Sequence, residues 1–210
     1  LTLPINQERV TRDIVTIGAS AGGVQALRQL FASLPPSFPG VISAVIHRSP
    51  SATASQLPAV LAYRTSQAVS EPESGEKFKV SRIYVAPRDQ HMRLGVDRFY
   101  LDDGPRRHFA RPAIDPLFES AAVAYGPRVV GVVLSGKGND GVSGLKAIKA
   151  AGGISIAQDP SEATSPGMPE SAISLDHVDL VLPIADIASA LVILAFGDSL
   201  PSDDSQFLQR

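Results

Sequence analysis

The chain has 210 residues, 44 % of them hydrophobic and 19 % charged, with a net charge of −2. That length and composition suit one globular domain with a sizeable core. The charge offers no bulk attraction for nucleic acid, and the lack of cysteine removes disulfides, thiolate metal sites and a cysteine nucleophile.

Residues 1–12 are polar, lack an apolar signal-peptide core and read as a tail before a domain over 13–196. The chain opens on Leu1 rather than methionine, as a fragment or processed product would. Residues 14–17 read as a buried strand that runs into Gly18-Ala19-Ser20-Ala21-Gly22-Gly23. A helix over 24–34 follows, and Pro35 and Pro36 stop it. Residues 41–46 form a second apolar strand ending at His47, with a helix near 54–63 and a short strand near 67–70. The polar stretch 71–79 reads as a loop and 82–86 as a strand. Residues 91–94 and 98–101 flank Gly95-Val96-Asp97 and suggest a hairpin. A charged loop over 102–111 leads to a helix over 114–125.

The longest β-branched run, 129–134, leads into Ser135-Gly136-Lys137-Gly138-Asn139-Asp140-Gly141 and a helix to Ala151. Residues 154–157 and 178–182 read as strands, 185–196 as a final helix and 197–210 as a loose acidic tail. Strands separated by helical stretches predict a doubly wound α/β domain, mostly parallel and Rossmann-like, with a small antiparallel hairpin. No run of about 18 apolar residues occurs, so no membrane insertion is expected, and the absence of cysteine fits a cytoplasmic protein.

Gly18-Ala19-Ser20-Ala21-Gly22 fits the G-x-S-x-G pattern. A sharp strand-to-helix turn lifts its serine above a sheet, and the next backbone N–H, from Ala21, can face a developing oxyanion. The same letters suit a dinucleotide-binding turn or an ordinary βα turn. Gly-Ala-Ser also looks like the short-chain dehydrogenases. However, Val24 stands where that pattern wants a third glycine, and none of Tyr63, Tyr84, Tyr100 and Tyr125 has a lysine four residues on.

A serine needs a base to take its proton. His47 and Asp140 fall at the ends of other predicted strands, and a doubly wound sheet gathers such ends at one rim. Ser20, His47 and Asp140 then form a nucleophile, base and orienter. Each also has a plainer reading, and Asp140 could cap the helix behind it. His108 and His177 fall in polar loops and carry no expected role, whereas His91 is placed to line the site. The histidines lack metal-ligand spacing, so no metal is expected.

With these loops in view, the sequence resembles the methylesterase domain of CheB-type chemotaxis proteins, from about Ile14 to Leu194. The resemblance rests on residues 17–23, Val45-Ile46-His47, Tyr84-Val85-Ala86-Pro87 with Asp89 and His91, and Arg111-Pro112-Ala113-Ile114-Asp115. Residues 134–141 and Gly167-Met168-Pro169 extend it. It implies a Ser20, His47 and Asp140 triad, oxyanion donors at the Ala21 and Lys137 N–H groups, and hydrolysis of glutamate γ-methyl esters on a methylated chemotaxis receptor. Glutamine deamidation is implied as a second activity, no cofactor is needed, and Arg48, His91 and Met168 are candidate substrate contacts.

The sequence departs from the family where Ala21 replaces threonine, Lys137 replaces methionine, and Arg48-Ser49-Pro50 follows the histidine. Arg48 and Lys137 are therefore expected to attract an acidic substrate, or else simply to point to solvent. The family's regulatory receiver domain is absent from this sequence, leaving it to act in trans or from a removed segment. The alternatives are a catalytically idle interaction domain of the same fold and a nucleotide-binding oxidoreductase.

Overall fold

The computed structural model describes residues 9–48 and 56–200. Strands β1 (Ile14–Ala19) and β2 (Val41–Ile46) are buried at every position. A strand covered on both faces has no wet side, so its sequence runs apolar without alternation. β1 leads through helix α1 (Gly23–Ser33) to β2, and α2 (Leu57–Ala62) leads to β3 (Ala68–Ser70) and β4 (Arg82–Val85). The antiparallel pair β5 (His91–Leu94) and β6 (Phe99–Asp102) follows, then α3 (Ile114–Tyr125) and β7 (Val129–Val133). The chain finishes through α4 (Val142–Ala150), β8 (Ile154–Gln158), α5 (Gly167–Asp176), β9 (Leu180–Leu182) and α6 (Ile184–Ala195).

The main sheet has the order β3-β4-β2-β1-β7-β8-β9, and its pairings are parallel. The chain lays β2, the edge strand β3 and then β4 between them on one flank of β1, and returns to build β7, β8 and β9 on the other, so the order reverses between β1 and β7. The connections after these two strands part in opposite directions and open a crevice at the carboxyl rim. Leu27, Leu30 and Phe31 of α1 pack with Ile187 and Leu191 of α6 on one face of the sheet. Ile114 and Phe118 of α3 pack with Leu145 and Ile148 of α4 on the other. Each such side chain, fully buried, stabilises the fold by about 1.5–3 kcal/mol.

The doubly wound reading holds, with shifts of one or two residues at many element ends and one helix that was not expected. β1 continues past Ile17 to Ala19, which places the glycine-serine turn directly at its end. No helix was expected where α5 stands, a segment that holds Pro166, Gly167 and Pro169. They lie at its start, where first-turn N–H groups have no intrahelical partner and proline costs little. β9 starts at Leu180 rather than Val178, since the carboxylate of Asp179 instead accepts from the Ser155 N–H and hydroxyl. The helix expected over 54–63 is α2, and positions 54 and 55 lie outside the described residues, as do 1–8 and 201–210.

Candidate active site

Ser20 follows β1 in a tight turn, with its carbonyl accepting the Gly23 N–H at 2.8 Å. Gly22 adopts φ 77°, and a Cβ there would lie 2.7 Å from both Ser135 Oγ and Thr164 Cβ. Glycine meets both demands, a left-handed backbone and a neighbour at close range. The Ser20 N–H donates to the Ser135 carbonyl at 2.9 Å, and the Ser135 hydroxyl donates to the Ala21 carbonyl at 2.7 Å. The same hydroxyl accepts from the Ser165 N–H at 2.9 Å, while the Ser135 N–H donates to Gln158 Oε1 at 2.9 Å. Ser135 thus clamps the serine turn to the loop after β7.

Gly136 completes the clamp. A Cβ on it would lie 2.9 Å from Ser20 Cβ and would collide with Met168 Sδ. The backbone leading into Lys137 therefore lies against the serine. Among the described residues, neither the Ala21 nor the Lys137 N–H donates a hydrogen bond. Two free donors beside one hydroxyl can receive an anionic oxygen.

His47 stands at the end of β2, its N–H bonded to the Ala19 carbonyl at 3.1 Å. Its Nε2 lies 2.7 Å from Asp140 Oδ2. That leaves Nδ1 as the nitrogen available to a serine proton. Ser20 and His47 line one open cleft of about 790 Å³, and among the described residues no hydrogen bond joins the serine hydroxyl to the ring. Such bonds are often long before substrate closes the site.

Asp140 is 2 % exposed. It does not cap the helix behind it, as the sequence suggested. Its Oδ2 accepts the Ile114 N–H at 2.8 Å and its Oδ1 the Asp115 N–H at 3.1 Å, so it caps α3 instead. Asp115 returns the arrangement, its Oδ1 accepting from Gly141 at 3.0 Å and Gly144 at 2.8 Å at the start of α4. Each aspartate holds the N-terminus of the other's helix, where unpaired N–H groups and the helix dipole favour an anion. Burial pushes the Asp140 carboxyl up, but the bonds from His47, Ile114 and Asp115 outweigh it and hold the group below the ordinary aspartate value. Asp115 lies above that value, because burial and the Asp140 charge outweigh its hydrogen bonds.

His108, to which the sequence assigned no role, places Nε2 2.9 Å from Asp115 Oδ2 and 4.0 Å from Asp140 Oδ1. The ligand atoms of His108, Asp115 and Asp140 lie within 4.8 Å of one another, the spacing of a cation site. Their oxygens are already occupied by N–H donors, so the cluster as it stands holds two helix starts.

The expected substrate contacts fare differently. Arg48 lines the cleft, but its guanidinium donates to Glu71 at 2.9 Å and to the Ala86 carbonyl, with its side chain 11 % exposed. It neither points to solvent nor offers an uncompensated charge. His91 is buried, with Nδ1 accepting the Ala113 N–H and Nε2 facing the Pro105 carbonyl. No ring nitrogen remains for a substrate, and its place is structural. Met168 is buried behind Gly136 and braces the loop from below. Lys137 is exposed.

Sequence reasoning missed Ser135, Asp115 and His108. The letters around Ser135 and Asp115 were visible, but polar residues whose bonds run mostly to groups far along the chain leave no periodic signal.

A family model described as CheB methylesterase matches residues 15–191. A protein-glutamate methylesterase/protein-glutamine glutaminase of Anaeromyxobacter dehalogenans is 41 % identical over 179 residues, covering 85 % of this chain and 52 % of that protein. A Pyrococcus horikoshii protein of the same description is 39 % identical over 188 residues, covering 86 % of this chain and 50 % of that protein. The chain thus spans about half the length of the first curated relatives it matches. A Leptospira interrogans relative, 35 % identical over 183 residues, is covered over 94 % of its length. The crystal structure of the Thermotoga maritima CheB methylesterase catalytic domain superposes with a TM-score of 0.83 at 35 % identity, covering 88 % of this chain and all of that one.

Proposed function

The chain belongs to the CheB methylesterase family, and from that premise we propose that it hydrolyses glutamate γ-methyl esters on chemotaxis receptors through Ser20, His47 and Asp140. The observation that carries this reading is the meeting, in one cleft, of Ser20, next to turns whose Ala21 and Lys137 N–H groups have no partner among the described residues, and a histidine bonded to a buried aspartate.

Ser20 Oγ attacks the γ-carbonyl while His47 Nδ1 takes the hydroxyl proton. The carbonyl oxygen becomes an oxyanion between the Ala21 and Lys137 N–H groups. Losing one such donor costs about 3 kcal/mol in sites of this kind. His47 passes its proton to the departing methoxide, methanol leaves, and an acyl-enzyme remains. Water then attacks, with His47 again as base, and releases the glutamate carboxylate. Asp140 holds the tautomer with the proton on Nε2 and stabilises the imidazolium. A glutamine side chain entering the same site would release ammonia by the same steps. A receiver domain, in trans or in a segment beyond this sequence, is the proposed regulator.

The test is methanol release from membranes carrying methylated receptor. Release by the parent and none by Ser20→Ala supports the reading. A folded protein that releases no methanol, or a Ser20→Ala protein that matches the parent, overturns it. A serine-directed phosphonate separates an enzyme from an idle domain, since only the enzyme acquires the covalent adduct.

A further inference from the structure

We propose that Arg28 and Arg64 recognise acidic residues flanking the modified glutamate, so that the substrate is an acidic peptide segment. The inference rests on the methylesterase reading and specifies which sequences that site prefers. It also moves the acid-binding role away from Arg48, where the sequence placed it.

The cleft that holds Ser20 and His47 continues along α1, past Gln25 and Arg28, to Arg64. Its described lining carries the cations Arg28, Arg48 and Arg64 and no aspartate or glutamate. Of the three cleft arginines Arg48 is matched to Glu71, and several arginines elsewhere are matched likewise, Arg93 to Asp102, Arg107 to Glu119, Arg111 to Asp89 and Arg128 to Asp13. Among the described residues Arg28 and Arg64 have no such partner. In a cleft whose described lining holds no acidic side chain, these two cations call for an anion from outside.

Arg28 is also held in place. The Arg28 guanidinium lies over the Tyr63 ring, 5.3 Å from its centroid, and its buried Nε has no hydrogen-bond partner among the described residues. Stacking fixes the plane of the fork without using its hydrogen bonds, which suits a carboxylate that accepts two. Arg28 sits five residues beyond the start of α1, or about 8 Å along the helix, so its long side chain works near the serine turn. Arg64 follows α2 with φ 80°, a left-handed conformation usually given to glycine after a helix.

The test uses two soluble peptides, each with one glutamate γ-methyl ester, flanked by glutamates in one and by glutamines in the other. At about 20 mM salt the parent should favour the acidic peptide roughly tenfold in kcat/KM, and the preference should shrink at about 500 mM salt. Arg28→Gln with Arg64→Gln should bring the ratio near one, while Arg28→Lys with Arg64→Lys keeps much of it. A parent without preference, or a double glutamine variant that retains it, overturns the proposal. Fluorescence anisotropy of the same two peptides on a Ser20→Ala background reads the cleft without chemistry. If the parent hydrolyses neither peptide, the methylesterase reading fails. Anisotropy then still decides the cleft, because tighter binding of the acidic peptide, lost with both arginines, upholds the proposal and equal binding sinks it.

Discussion

Replacing Asp140 by asparagine should separate its two tasks. Both carboxylate oxygens now accept, Oδ2 from His47 and Ile114 and Oδ1 from Asp115. An amide must turn its NH₂ toward one set of these donors. If it faces His47, the ring must accept at Nε2 and carry its proton on Nδ1, where it can no longer take one from Ser20. If it faces Asp115, the ring keeps its tautomer but loses the anion that stabilises the imidazolium. Orientation effects of this kind cost on the order of 10⁴ in kcat, or about 5.5 kcal/mol of barrier. Asp140→Ala adds a stability cost, because it strands the Ile114 and Asp115 N–H groups at the buried start of α3. At about 1–3 kcal/mol for each stranded group, with some relief from entering water, the loss should be about 2–4 kcal/mol. For a chain of this size that lowers Tm by about 5–15 °C. The folded Asp140 pKa lies below the unfolded one, so its stabilisation is present above about pH 4 and is lost as pH falls through the lower folded value. The variants should therefore show a shallower acid limb. Methanol release and calorimetry across pH measure both effects. An Asp140→Asn enzyme within about tenfold of the parent kcat refutes the orientation argument, and an Asp140→Ala protein melting with the parent refutes the capping argument.

Other perturbations reach different parts of the site. Asp115→Asn should stay within about 1 kcal/mol of the parent, since the amide oxygen can still accept from Gly141 and Gly144, whereas Asp115→Ala should lose about 2–3 kcal/mol in urea melts. The raised Asp115 pKa means that the parent loses stability relative to Asp115→Asn as pH rises from about 4 through the folded value, and a difference of opposite sign would contradict the burial argument. Gly136→Ala should lower kcat by about 10²-fold by pushing the Lys137 N–H away from the serine, and Met168→Ala should not rescue it, because the contact with Ser20 Cβ remains.

Much of the fold was legible because buried parallel strands have a distinctive composition. The strands over 14–19, 41–46 and 129–133 are covered on both faces, so lack of alternation marked the runs 14–17, 41–46 and 129–134, and the turns after them could be located. α5 was not legible, since its opening prolines look the same in a loop and in a first helical turn. Arg48 failed as a free cation for a related reason. Its partner Glu71 lies 23 residues away, and proximity to His47 in sequence says nothing about which carboxylate reaches it.

By itself the sequence determined the layered α/β architecture, the serine turn and the candidate trio, because strand burial, glycine placement and short motifs are local properties written along the chain. Only the tertiary structure decided that the order reverses between β1 and β7, that Asp140 caps α3 rather than α4, and that His91 and Met168 support the site from behind. It also decided that Arg28 and Arg64, rather than Arg48, line the cleft without a carboxylate partner among the described residues. These depend on which distant groups meet. A hydrogen bond or ion pair is settled by distances of a few ångströms between elements far apart in the chain, and no local pattern of residues encodes them.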